Sequence, residues 1–85
     1  MNNQDKGILT IQYVNGTVQK FEYTRQEDTY SVATQIQEMA KANFLFLELA
    51  DKALVIPFQN IQNIEISPPP AKMPPNTLKN VRLIQ

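Results

Sequence analysis

The stretch Phe44 to Pro68, FLFLELADKALVIPFQNIQNIEISP, is the densest apolar run of the chain. Leu45, Leu47 and Leu49 alternate with Phe44, Phe46 and Glu48. Successive side chains of an extended strand point to opposite faces, so the leucines share one face and the phenylalanines the other. A second apolar run, Leu54 to Phe58, follows Asp51-Lys52. Taking Asp51-Lys52 as a two-residue hairpin turn sets Leu49 opposite Leu54, Leu47 opposite Ile56 and Leu45 opposite Phe58. Those are three apolar cross-strand pairs on one face. Pro57 cannot donate a ladder hydrogen bond, which puts its strand at an edge or at a bend. Gln59-Asn60 is expected to be a corner. Ile64 and Ile66 share one face of a last short strand, and Pro68-Pro69-Pro70 stops it.

Upstream, Leu9, Ile11 and Tyr13 alternate with Thr10, Gln12 and Val14, and Asn15-Gly16 is a strong hairpin signal. A two-residue turn there would mix faces, setting Ile11 against Lys20. A three-residue loop, Val14-Asn15-Gly16, with Gly16 left-handed in a bulge, sets Leu9 against Phe21, Ile11 against Gln19 and Tyr13 against Thr17. Tyr13 and Tyr23 are then in phase with the core. A helix is expected from Tyr30 to Ala42, capped by Asp28 or Thr29, with Val32, Ile36, Met39 and Ala40 as its buried stripe. Gln35, Gln37, Glu38 and Lys41 form its polar face, and Asn43 is a suitable left-handed terminator.

The element order is strand, strand, helix, strand, strand, strand. It defines a single small α+β domain, ββαβββ, an antiparallel sheet with one helix packed on one face. Residues 1–67 form this domain. Residues 68–77 are a proline-rich spacer, with five prolines between Pro68 and Pro75, and residues 78–85 are an apolar and basic C-terminal segment. Leu78, Val81, Leu83 and Ile84 are too apolar for a free tail, and Asn80 to Ile84 is a candidate further strand. Prolines three apart are missing, so a stiff spacer explains the run better than an SH3 or WW ligand does.

Composition narrows the chemistry. In 85 residues there is no histidine and no cysteine, and eight acidic side chains balance eight basic ones. With acids and bases balanced, no global field draws the chain toward nucleic acid or an anionic membrane. The commonest proton-transfer group, the thiol nucleophile and the usual zinc ligands are missing, and the carboxylates follow no calcium-loop spacing. No catalytic, cofactor-binding or metal-ligating residue is assigned, no cofactor is expected, and a non-enzymatic role is. Glu48 sits within the apolar centre. Its place on the phenylalanine face favours a solvated carboxylate, or one paired with a lysine such as Lys20, over a buried proton-transfer acid. The start of the chain, MNNQDKG, lacks the apolar core of a signal peptide, and Glu48 interrupts the longest apolar run, so a cytoplasmic location is expected.

A small domain buries only about 60% of the surface its unfolded chain exposes, so apolar groups left outside need a reason. Phe44, Phe46 and Val55 point away from the helix, with Ile8, Val14 and Val18 expected to share that far face. A solvated sheet face should be mostly polar. The expected contact surface is Phe44, Phe46 and Val55 together with Leu78, Val81 and Leu83 of the tail. The expected partner is the chain itself, as a homo-oligomer such as a dimer, or another protein. The runner-up is weak nucleic-acid binding through Lys72, Lys79 and Arg82.

The segment Ile56–Ile66 locally resembles the strand, corner and strand of bacterial PH-like and GRAM-type domains. Taken more widely, Glu48-Leu49, Leu54–Phe58, Ile61, Ile64–Pro68 and Pro70, with Asn/Gln-rich flanks, form a pattern similar to that of small uncharacterised cyanobacterial proteins. That resemblance runs from Ile8 to about Leu83 and implies no activity.

Overall fold

Asn15-Gly16 fixes the first hairpin. In the computed structural model, which describes residues 6–24, 32–70 and 73–84, β1 (Lys6–Tyr13) and β2 (Val18–Thr24) pair antiparallel with Leu9 opposite Phe21 and Ile11 opposite Gln19. The Tyr13 N–H donates to the Thr17 carbonyl (2.8 Å) and the Gly16 N–H to the Tyr13 carbonyl (2.9 Å), with Gly16 at φ 92°. This is the three-residue loop that alternation demanded, and the left-handed position falls on the residue without a Cβ.

The helix α1 runs Val32–Lys41. Its expected cap at Asp28 or Thr29 lies outside the described residues. Val32, Ile36 and Met39 are half-buried and Ala33 is buried, whereas Ala40 is exposed. The stripe is covered at Val32, Ala33, Ile36 and Met39 and open at Ala40. Asn43 ends the helix at φ 72°, as its tolerance of the left-handed region predicts.

Strands β3 (Phe44–Glu48) and β4 (Ala53–Pro57) form the second hairpin, two residues out of the expected register. Leu45 faces Ile56 and Leu47 faces Leu54; the turn is centred on Ala50-Asp51, where the Leu49 N–H donates to the Lys52 carbonyl (2.7 Å). Pro57 supplies the reason. At the other end the Phe58 N–H donates to the Asn43 carbonyl (3.0 Å), so odd-numbered residues of β3 occupy the hydrogen-bonded pairs. Pro57 therefore falls opposite Phe44 in a non-bonded pair, where its missing N–H costs nothing. The Asp51-Lys52 turn would have put it in a bonded one.

A 3₁₀ turn, Phe58–Asn60, is the expected corner, and it does more than bend the chain. It sends β5 (Ile61–Ser67) away from β4 to pair with β1, with Leu9 opposite Ile66 and Ile11 opposite Ile64. Strands that switch sheets at a corner are a known way of closing a small β core. A bulge at Gln12/Tyr13 brings Ile61 opposite Tyr13. It shifts the side-chain parity, so that Ile61, Ile64 and Ile66 all pack toward the core. Among the described residues the fold is the expected α+β order with one α-helix, but the strands form two sheets: β2-β1-β5 and β3-β4.

Leu9, Ile11, Leu45 and Ile56 join the two sheets in one buried cluster, packed by Phe21, Leu47, Ile36 and Met39. Each such side chain contributes about 1.5–3 kcal/mol by leaving water. Gly7 is buried opposite Tyr23, whose ring lies where a Cβ at position 7 would be. Beyond β5, the Ser67-Pro68 peptide is cis. Residues 73–84 contain a turn closed by the Thr77 N–H on the Pro74 carbonyl (3.0 Å) and no strand. The candidate strand Asn80 to Ile84 is thus unpaired, and Asn80, at φ 60°, breaks its extended run.

Candidate interaction surfaces

The even-numbered residues of β3 and their partners in β4 make the outer face of the second hairpin. Phe44, Phe46 and Val55 are 41%, 55% and 54% exposed. Phe46 and Val55 are directly cross-strand, and the two phenylalanine rings stand 6.4 Å apart, tilted by 46°. Such ring pairs contribute beyond their buried area. The face continues through Pro57 and Ala53, and Glu48 is its one charge. The three expected residues form one patch.

The structure separates this patch from Ile8, Val14 and Val18. Those residues belong to the other sheet and its loop, and the inner faces of the two sheets pack on each other. The outer face of β1 and β2 carries Thr10, Gln12, Lys20 and Glu22 around Ile8 and Val18, and β5 adds Asn63 and Glu65. The expected single far face is corrected to two outer faces, because β5 follows β1 rather than β4. Only the face of the second hairpin is chiefly apolar.

The tail is the second apolar surface. Leu78, Val81 and Leu83 are 82%, 67% and 82% exposed, and Ile84 is 77% exposed. Lys79 and Arg82 are exposed among them; Lys72 lies outside the described residues.

A third feature has no counterpart in the sequence reading. A groove of about 690 Å³ lies between β2, the first turns of α1 and the β3–β4 hairpin. Leu9, Phe21, Leu45 and Leu47 line it, and Lys20, Glu22, Glu48 and Asp51 carry its charge. Consecutive residues line it along both strands, 20–24 and 45–51, rather than alternate ones. Both strands therefore present their edges as well as a face. The Phe46 N–H points into this region and donates to the Met39 Sδ (3.3 Å). A thioether is a weak acceptor for a main-chain donor. The groove follows from the division into two sheets, which no local pattern announces. The one available signal was Pro57 with its corner.

Glu48 is exposed on the groove wall opposite the one that bears Lys20, in keeping with a solvated carboxylate. Burial raises the Tyr13 hydroxyl above its ordinary pKa, and that hydroxyl donates to Gln19 Oε1. Among the described residues, no three carboxylates gather as a metal site, and no helix is long and apolar enough to cross a membrane. Searches against family models, curated proteins and solved structures find no match.

Proposed function

We propose that the protein is a small, non-enzymatic interaction module of the cytoplasm that associates with a second copy of itself. The observation that carries this reading is the outer face of the second hairpin. Two tilted phenylalanine rings and a cross-strand valine, each about half exposed, form a continuous apolar patch on a domain with a modest core. Sheet faces left to water are mostly polar, and the outer face of the first hairpin, with its threonine, glutamine, lysine and glutamate, meets that expectation. The exposed tail, with Leu78, Val81 and Leu83, adds apolar surface that association would cover. Binding to a second copy also stabilises a small domain by mass action.

Light scattering on the purified chain over a range of concentrations tests the reading. A dimer or larger species is expected, and Phe46→Lys should return it to monomer with an unchanged circular dichroism spectrum. A monomer at the highest concentration would rule self-association out. A Phe46→Lys variant that unfolds would mean that the ring belongs to the core.

A further inference from the structure

The groove between β2 and β3 has the features of a place for one more strand. In β1–β2 the Tyr13–Thr17 bond puts odd-numbered residues of β2 in the hydrogen-bonded pairs. Strict alternation then turns the main-chain groups of Lys20, Glu22 and Thr24 outward, toward the groove. By the same parity Phe46 and Glu48 turn theirs toward it from β3. The two edges flank an apolar floor, and the Met39 sulfur stands where a strand's carbonyl would bind the Phe46 N–H better. An inserted strand would join the two sheets in the order β5-β1-β2-insert-β3-β4 and leave the groove without an open edge.

We propose that the C-terminal segment Asn80–Ile84 of a second copy is that strand. The proposal deepens the self-association reading and rests on it. Charge complementarity identifies the occupant. Among the described residues, the groove's lining carries three carboxylates, Glu22, Glu48 and Asp51, against one cation, Lys20. The chain beyond Glu65 has no acidic residue and carries Lys79 and Arg82 beside the apolar positions. Side-chain parity agrees. In an extended Asn80–Ile84, Val81 and Leu83 face the floor made by Leu9, Phe21, Leu45 and Leu47. Arg82 then faces outward between Glu22 and Glu48, the outer-face residues of the two flanking strands. Asn80 must leave its left-handed conformation, a small cost for the residue type that enters and leaves that region most readily after glycine. The tail's placement selects the second copy over the chain's own groove. In the chain itself residues 80–84 pair with no strand, and the four apolar side chains Leu78, Val81, Leu83 and Ile84 stand two-thirds or more exposed without lining its groove, which leaves that groove to the segment of a second copy.

Two full-length variants test this, each altering only exposed side chains. One reverses the groove, Glu22→Lys with Glu48→Lys; the other reverses the tail, Lys79→Glu with Arg82→Glu. Alone, each sets like charges against each other, and self-association should weaken at least about ten-fold. Mixed in equal amounts they should form a heterodimer of near wild-type affinity, because each groove then meets a tail of opposite charge. Hydrogen exchange on the wild type should show the Lys20, Glu22 and Glu48 amides protected in the associated form only. If the wild type associates and neither reversal weakens it, the groove is not the site, while association through Phe44, Phe46 and Val55 stands. If the wild type is monomeric with those amides protected, and the tail reversal releases them, the chain fills its own groove and the second copy is wrong. If it is monomeric with the amides unprotected, this inference and the self-association reading fall together.

Discussion

The two hairpins solve the same problem and end with different surfaces. In β1–β2 the inner face takes Leu9, Ile11, Phe21 and Tyr23, and the outer face is largely polar. In β3–β4 the inner face takes Leu45, Leu47, Leu54 and Ile56, and the outer face keeps Phe44, Phe46, Ala53, Val55 and Pro57. Both bury one side equally well. A hairpin needs only one apolar face to join a core, so the second apolar face of β3–β4 is surplus to folding. Parity along one strand therefore separates residues that stabilise the fold from residues free to serve contact.

Substitutions on neighbouring residues of β3 give the largest test of this division. Leu45 is fully buried, and Leu45→Ala should cost about 2–5 kcal/mol, a large share of the stability of so small a domain. Phe46→Ala, one position on, should cost less than about 1 kcal/mol in the monomer. Denaturant melts at a concentration low enough to keep the chain monomeric measure both. Equal losses would erase the distinction between the faces.

Much of this was legible in the chain because it is local. Alternation fixes which residues of a strand share a face. Asn15-Gly16 with the in-phase Leu9 and Phe21 fixes the bulged loop, and Asn43 marks the helix end. The register of β3–β4 was missed by two residues, since alternation is unchanged by an even shift; only the hydrogen-bonding parity of Pro57 distinguishes the two turns. The division into two sheets was not legible. Strands joined by a three-residue corner are natural partners, and nothing within Ile61–Ser67 states that it pairs with β1 instead. The groove was missed for the same reason, being a consequence of pairing between distant segments. The patch Phe44, Phe46 and Val55 survived the change because it lies within one hairpin.

The two glycines sharpen the comparison on the other hairpin, where the inner face tolerates no surplus. A methyl group at Gly7 would overlap the Tyr23 ring. Gly7→Ala must displace that ring from the core edge, at a cost of about 1–3 kcal/mol. Gly16 has open space around its Cβ position but sits at φ 92°. Gly16→Ala should therefore cost about 1 kcal/mol, from backbone conformation alone. Combining Gly7→Ala with Tyr23→Ala should relieve the first penalty and leave the second untouched. If the double variant at positions 7 and 23 lost the full sum of both single changes, the ring would not be what occupies the space beside Gly7.

The smallest expected effect separates the rim of the first hairpin from its centre. The Tyr13 hydroxyl has a folded pKa raised by burial above its ordinary value near 10. The neutral phenol is thus favoured in the folded chain. The associated stability is fully present below the unfolded value and is lost as pH rises through the folded one. Wild-type stability should fall slightly more steeply above about pH 10 than that of Tyr13→Phe. The variant should start a little lower, having lost the hydrogen bond from the hydroxyl to Gln19 Oε1. Parallel pH profiles for the two proteins would mean that the phenol ionises as freely in the folded hairpin as in water. Tyr13 would then lie outside the boundary that the inner face of β1–β2 draws against solvent.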